Sequence, residues 1–159
     1  MKGDPQVIAA LQAQLKNELT AINQYYMHYR MYKHWGFEAL AKMEYKESIG
    51  EMKHADWLMD RILMLDGLPN LQVLHKLMLG ENVPEMLQCD LQLEQQAHVT
   101  IKQGIAACEA IGDYVSRELL KDILDDTEDH IDWLETQLDL INKVGLQNYL
   151  QSQMGDSDE

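Results

Sequence analysis

Apolar side chains recur every three or four positions over most of the chain, which is the spacing of one face of an α-helix. Glycine or proline interrupts the pattern at 36, 67–69, 112 and 145, where a helix ends most readily. The pattern predicts four long helices and a short one, at 5–34, 37–65, 84–111, 114–144 and 146–154. In the first of them the apolar positions are Val7, Leu11, Leu15, Leu19, Ile22, Tyr26 and Tyr29.

The segment between the second and third predicted helices is too apolar to be a free linker. It carries Leu71, Val73, Leu74 and Leu77 within a dozen residues. A connection of this kind lies along a helical bundle and joins two helical hairpins. We therefore predict one all-α domain over 1–159, a four-helix bundle with a long crossover between its second and third helices and a short fifth helix. Residues 155–159 are expected to form a disordered tail.

A repeat supports the two-hairpin arrangement. The segment His54-Ala55-Asp56-Trp57-Leu58 recurs 76 residues later as His130-Ile131-Asp132-Trp133-Leu134. The same offset relates Glu18 to Glu94 and Glu51 to Thr127. The offset maps the first hairpin onto the second, so these positions are expected to meet inside the bundle.

Glu51 and His54 are the starting point for the chemistry. Three residues apart on a helix, they lie about 60° apart around its axis and can reach one metal ion from the same face. A di-iron carboxylate site needs one Glu from each of two helices and Glu-x-x-His from each of the other two. The first set is complete with Glu18, whereas the second offers Glu94 and His130 but a threonine at 127.

Charge narrows the classes of partner. The chain has 159 residues, with 13 Lys and Arg against 27 Asp and Glu, and a formal charge of -14. This charge disfavours nucleic acid and anionic membranes and favours cations. Cys89 and Cys108 have neither Cys-x-x-Cys spacing nor the spacing for covalent haem attachment, and they are interpreted as buried or idle thiols. No signal peptide or membrane span is recognisable, so a cytoplasmic location is expected.

At these residues the chain resembles bacterioferritin, the haem-containing ferritin, over nearly its whole length. The matching segments are Asn17-Glu18-Leu19, Ala21-Ile22-Asn23-Gln24-Tyr25, Glu51-Met52-Lys53-His54-Ala55-Asp56, Gly67-Leu68-Pro69-Asn70-Leu71 and His130-Ile131-Asp132-Trp133-Leu134-Glu135. The resemblance implies a ferritin-like fold and a hollow shell of 24 subunits built from twofold dimers. It also implies ferroxidase activity, with Fe(II) oxidised by O2 or peroxide, a stored ferric mineral, and an electron-donor protein for iron release.

The family's di-iron site carries over by position. By resemblance, Glu18 and His54 are terminal ligands of one iron. Glu94 and His130 hold the other iron, and Glu51 bridges the two. Each position is occupied by the residue type that the family requires.

The second bridging carboxylate belongs at position 127, where Thr127 stands instead. Three carboxylates leave about one positive charge uncompensated beside two Fe(II) ions, which weakens binding of the second ion. Asp126 shares the face of His130 and is the better of two candidate substitutes on that helix, because Glu128 should point outwards. Glu47, one turn before Glu51, is a further acid that can lend charge. The alternative function is a haem-binding structural subunit with an impaired site, which co-assembles with a ferroxidase-competent subunit.

The resemblance assigns Met52 to haem. Its side chain points about 100° away from Glu51 on the same helix. In the family, two such methionines, one from each subunit of a dimer, ligate haem b, and thioether sulfur is a soft ligand suited to haem iron.

Several neighbours of the predicted site have weaker assignments. Tyr25 lies seven residues after Glu18, on the same face, and is either a buried tyrosine or a hydrogen-bond partner and electron source for the site. Trp57 and Trp133 are interpreted mainly as packing. Family members often place His and Asp at 46 and 50 as an accessory iron site, but positions 46 and 50 are Lys and Gly here. Surface or connecting roles are expected for His28, His34, His75 and His98.

Overall fold

The computed structural model describes residues 1–155, in which all regular structure is helical. The helices are α1 (Pro5–Trp35), α2 (Glu38–Met64), α3 (Val83–Ile111), α4 (Tyr114–Val144) and α5 (Leu146–Ser152). The predicted all-α bundle with a long crossover and a short fifth helix is confirmed. The predicted bounds differ from the observed ones by at most two residues. The predicted tail lies, apart from Gly155, outside the described residues.

Local signals fix the ends of the helices. The side chains of Asp4 and Asn82 accept backbone N–H groups in the first turns of α1 and α3. These bonds satisfy donors that have no partner inside the helix. Gly36 and Gly112 end the same two helices in the left-handed conformation, with φ of 87° and 86°. Because these signals are short-range, the helix boundaries could be predicted from the sequence.

The crossover between α2 and α3 is bound to one face of α1. Backbone groups of the crossover form hydrogen bonds with polar side chains of that helix. The pairs are Gln12 with Asn70, Thr20 with His75, Gln24 with Met78 and His28 with Gly80. Residue numbers rise together in these pairs, so the crossover runs in the same direction as α1. It returns the chain to the end where α2 began, and α3 is therefore parallel to α2.

The bundle has a large apolar cluster at each end, and polar side chains and a small apolar cluster of Ala21, Tyr25 and Leu93 lie between them. Leu11, Leu58 and Ile101 belong to the cluster at one end. Leu40 and Leu87 belong to the cluster at the other. Near the middle of the long helices, carboxylates and imidazoles occupy several of the buried positions. Within residues 1–155, no helix combines the length and the apolarity needed to cross a bilayer.

Candidate metal centre

Three buried side chains form one half of the polar centre. His54 Nδ1 lies 3.4 Å from Glu18 Oε2 and 3.5 Å from Glu51 Oε2. Gln14 Nε2 donates to Glu18 Oε1, which leaves the other oxygen directed at the imidazole. Ligand atoms of Glu18, Glu51 and His54 all lie within 4.8 Å of one another, so one cation can contact all three.

The other half comes from α2, α3 and α4. His130 Nδ1 lies 3.1 Å from Glu94 Oε1 and 3.6 Å from Glu47 Oε2. Glu47, Glu51 and His130 form a second group whose ligand atoms lie within 4.8 Å of one another. Glu51 belongs to both groups and joins the two halves. The structure thus brings all the predicted carboxylate and histidine ligands to one place, together with Glu47.

The unpaired atoms of the centre suit cations. Among the described residues, Glu18 Oε2, His54 Nδ1 and both ring nitrogens of His130 lack a hydrogen-bond partner. Buried polar atoms without partners are costly, and a bound cation would satisfy them. Carboxylate oxygen and imidazole nitrogen together suit divalent iron, manganese, cobalt and zinc.

Thr127 does not replace the missing carboxylate. Its side chain is buried, and its hydroxyl donates a hydrogen bond of 2.9 Å to the carbonyl oxygen of Ile123. This bond holds the hydroxyl against its own helix. The bridging position on α4 therefore carries a neutral hydroxyl group, and its proton is donated within the same helix.

Asp126 lies behind His54 rather than between the two halves. Its Oδ2 is 2.7 Å from His54 Nε2, and 59% of its side chain is exposed. Because His54 Nδ1 faces the centre, Asp126 contacts the outer nitrogen of the ring. A carboxylate in this position orients a histidine ligand and raises its basicity. The geometry therefore gives Asp126 a supporting role and not the bridging role considered for it above.

The two halves differ in this supporting contact. The 76-residue offset that relates His54 to His130 relates position 50 to Asp126. Position 50 is glycine, and a Cβ built there would point into open space. His130 Nε2 correspondingly lacks a partner in the described part of the chain. The His130 half thus lacks an outer carboxylate, and α4 adds no bridging one.

Aromatic side chains contact the ligands. The Tyr25 hydroxyl donates to Glu94 Oε1, and the Tyr25 ring meets the His130 ring edge-on at 5.3 Å. The ring centroids of Trp57 and His54 lie 5.3 Å apart. Burial, with the charge of Glu94, raises the pKa of Tyr25 well above its usual value, so Tyr25 remains a donor.

A pocket of about 420 Å³ connects the centre with the protein surface between α2 and α4. Its inner wall is formed by Glu47, Glu51, His54 and His130. The exposed charged residues that line it are Lys46, Lys53, Asp126 and Asp129. The ligands are therefore buried but can be reached from outside the bundle.

Comparison with known proteins identifies the family. The sequence family described as the ferritin-like domain matches residues 8–144 of this chain. A bacterioferritin from Brucella melitensis is 48% identical over 159 residues, covering 100% of this chain and 99% of that protein. A bacterial ferritin from Synechocystis is 50% identical and covers 97% and 99%. The chain belongs to the bacterioferritin family. Its all-helical architecture and clustered carboxylates and imidazoles agree with that assignment.

A second buried polar cluster lies one helical turn from the centre, and the sequence interpretation missed it. It consists of His28, Glu44 and Asp90, all at most 1% exposed. A surface or connecting role was expected for His28. The surface role is wrong, because the ring is fully buried. The three residues lie three or four positions from Tyr25, Glu47 and Glu94, and this spacing was the available signal.

Both ring nitrogens of His28 form hydrogen bonds in this second cluster, although ligand atoms of its three residues lie within 4.8 Å of one another. The N–H of Gly80 donates to His28 Nε2 at 3.2 Å, which places the ring proton on Nδ1. Nδ1 then donates to Asp90 Oδ1 at 2.9 Å, so both ring nitrogens are occupied. Burial and the neighbouring charge of Asp90 raise the pKa of Glu44 well above its usual value. The cluster thus combines an ionised Asp90 with a protonated Glu44, and Glu44 Oε1 and Asp90 Oδ2 have no hydrogen-bond partner among the described residues.

The charge of the metal-free centre depends on pH. Burial lowers the pKa of His54, but the neighbouring carboxylates of Glu18 and Asp126 outweigh this and raise the pKa from 6.5 to about 9. Burial likewise opposes the charged form of His130, and Glu94 raises its pKa to about 9. Both imidazoles are therefore protonated near neutral pH before a cation displaces the protons.

We expect the metal-free protein to become less stable as the pH rises from about 6.5 to 9. The folded state binds more protons than the unfolded state in this window, so the free energy of unfolding falls with pH. Thermal unfolding in the presence of a chelator would show the midpoint falling by several degrees. A His54→Gln, His130→Gln double variant should lose most of this dependence. A midpoint that rises across the window would contradict the assignment of charged imidazoles.

Proposed function

We propose that this chain stores iron and that it oxidises Fe(II) at the centre of its bundle. The observation that carries the proposal is the pair of three-ligand groups that share Glu51. The relatives named bacterioferritin match almost the full length of the chain, which supports the same activity here.

The proposed reaction needs two Fe(II) ions held close together. Each ion gives up one electron, and the two electrons, with two protons, reduce O2 to hydrogen peroxide or reduce hydrogen peroxide to water. Glu18 and His54 bind one ion, Glu94 and His130 bind the other, and Glu51 lies between them. The anionic oxygens offset the repulsion between the two cations and favour the higher charge of Fe(III).

The proposed assembly is a hollow shell of 24 identical chains, built from twofold dimers, that encloses a ferric mineral. Apolar side chains on the outside of the chain are consistent with burial against other copies. Leu68, Leu71 and Val73 of the crossover are 87%, 54% and 48% exposed. A cytoplasmic location and an electron-donor protein for iron release belong to the same proposal.

We further propose that haem b binds between two chains through Met52 of each. The Met52 side chain is 45% exposed, whereas Glu51 and His54 on the same helix are buried. The thioether is thus available to a ligand outside the bundle. When bound, haem supplies a one-electron carrier near the mineral.

Stopped-flow oxidation of Fe(II) by the homopolymer tests the proposed function. Purified metal-free shell is mixed with increasing Fe(II) in air, and ferric absorption is followed. We expect a fast phase whose amplitude saturates near about two irons per subunit. The hydroxyl of Thr127, bonded to its own helix, favours the alternative of a structural subunit that co-assembles with a ferroxidase-competent one. Absence of the fast phase would support that alternative.

A further inference from the structure

The centre has a deficit of negative charge at the proposed iron ligands. Glu18, Glu51 and Glu94 supply three carboxylates, whereas two divalent cations carry four positive charges. An uncompensated charge in a buried site is costly, because water screens it poorly. The chain therefore needs a fourth acid close to the centre if two cations are to bind tightly.

Neither residue at the expected place on α4 meets this need. The Thr127 hydroxyl is engaged with the Ile123 carbonyl. The Asp126 carboxylate contacts the outer nitrogen of His54 and is largely exposed. The Asp126 carboxylate therefore orients the His54 ring but adds no negative charge to the His130 half.

Glu47 meets the need from the opposite helix. It precedes Glu51 by four residues on α2, so the two carboxylates lie on the same face one turn apart. Its Oε2 is 3.6 Å from His130 Nδ1, and only 20% of its side chain is exposed. Ligand atoms of Glu47, Glu51 and His130 lie within 4.8 Å of one another.

The ring nitrogens of His130 are unpaired and face the pocket that Glu47 and Glu51 also line. His130 is 3% exposed, and neither of its ring nitrogens has a hydrogen-bond partner among the described residues. A cation between Glu47 and His130 would give the unpartnered ring nitrogen a ligand bond and bring a carboxylate oxygen to the same ion.

We propose that Glu47 is the fourth carboxylate of this metal centre and binds the cation on the His130 side, in place of the bridging acid that position 127 lacks. The inference rests on the proposed function, since it names a further ligand of the same site. It makes the centre asymmetric. The His54 half has its ligands from α1 and α2 alone, and the His130 half takes a carboxylate across the bundle from α2.

Cobalt binding tests the proposal without relying on catalysis. Co(II) is titrated into the metal-free shell, and its visible absorption and the heat of binding are recorded. The unmodified protein should bind about two Co(II) per chain. Glu47→Gln should keep one tight site and weaken the second at least about 100-fold, because it loses a charged ligand. Glu38→Gln, an exposed glutamate on the same helix that pairs with Lys33, is the matched control and should bind as the unmodified protein does.

A rescue variant separates ligation from a structural effect. Adding Thr127→Glu to Glu47→Gln returns a carboxylate to the centre from α4 and should restore the second Co(II). If Glu47→Gln binds both ions normally, or if the double variant stays deficient, the proposal is overturned. Either result leaves the proposed function standing as long as the unmodified protein binds two ions and oxidises Fe(II).

Discussion

Glu51→Gln is expected to abolish tight binding at both halves of the centre. Glu51 is the residue common to the Glu18, His54 group and the Glu47, His130 group. The change keeps the side-chain volume but removes the charge that lies between the two cations. Each half therefore loses a ligand, and the repulsion between the ions is no longer offset.

The expected size of this effect is larger than for any other single ligand. Co(II) affinity should fall at least about 100-fold at both sites, and the fast phase of Fe(II) oxidation should disappear. Glu38→Gln again serves as the control, with circular dichroism and gel filtration to verify folding and assembly. If Glu51→Gln retained one site at normal affinity, Glu51 would not be shared and the two-group description of the centre would fail.

Met52→Leu is expected to eliminate haem binding and to leave iron oxidation unchanged. Leucine has nearly the volume of methionine but no sulfur, so it removes the axial ligand with little change in shape. The low-spin spectrum of bis-thioether haem should be lost, and the haem content should fall to background. Met52 is exposed and lies outside the two ligand groups, so cobalt binding should be preserved.

Met64 provides the matched control for this variant. It lies on the same helix and is 52% exposed. Met64→Leu should keep both the haem spectrum and the haem content. Persistence of the bis-thioether spectrum in Met52→Leu would remove Met52 from the haem site, whatever the behaviour of the iron centre.

The helices and the pairing of Glu51 with His54 could be predicted because they depend on local spacing, and the ligand pattern of di-iron bundles added Glu18. Helix ends follow from residues such as Gly36 and Asn82 within one turn of the boundary. Glu51 and His54 share a face through their separation of three residues. The repeat then placed the two hairpins opposite each other, without any knowledge of side-chain conformation.

The contacts of Asp126 and Glu47 could not be predicted in the same way. Both lie on helix faces that allow them to approach the centre, so spacing alone does not rank them. The direction of each side chain depends on its partner across the bundle, which is His54 for Asp126 and His130 for Glu47. Such partners are set by the packing of whole helices against each other.

The buried environment of His28 was missed for a related reason. A histidine without a ligand motif is more often exposed, and its partner Asp90 is far away in sequence. The crossover also contributes, because Gly80 satisfies the second ring nitrogen. Long-range polar networks of this kind leave little trace in a local pattern.

The four exposed charged side chains of the pocket have a consequence for how ions arrive. Lys46 and Lys53 offset Asp126 and Asp129, so this entrance carries almost no net charge, although the whole chain carries -14. A charged cleft concentrates ions of opposite sign and speeds their capture, but a balanced entrance provides no such steering. Ions that use this entrance would therefore gain little steering from its own side chains, and any dependence of their capture on ionic strength would come from the charge of the rest of the chain.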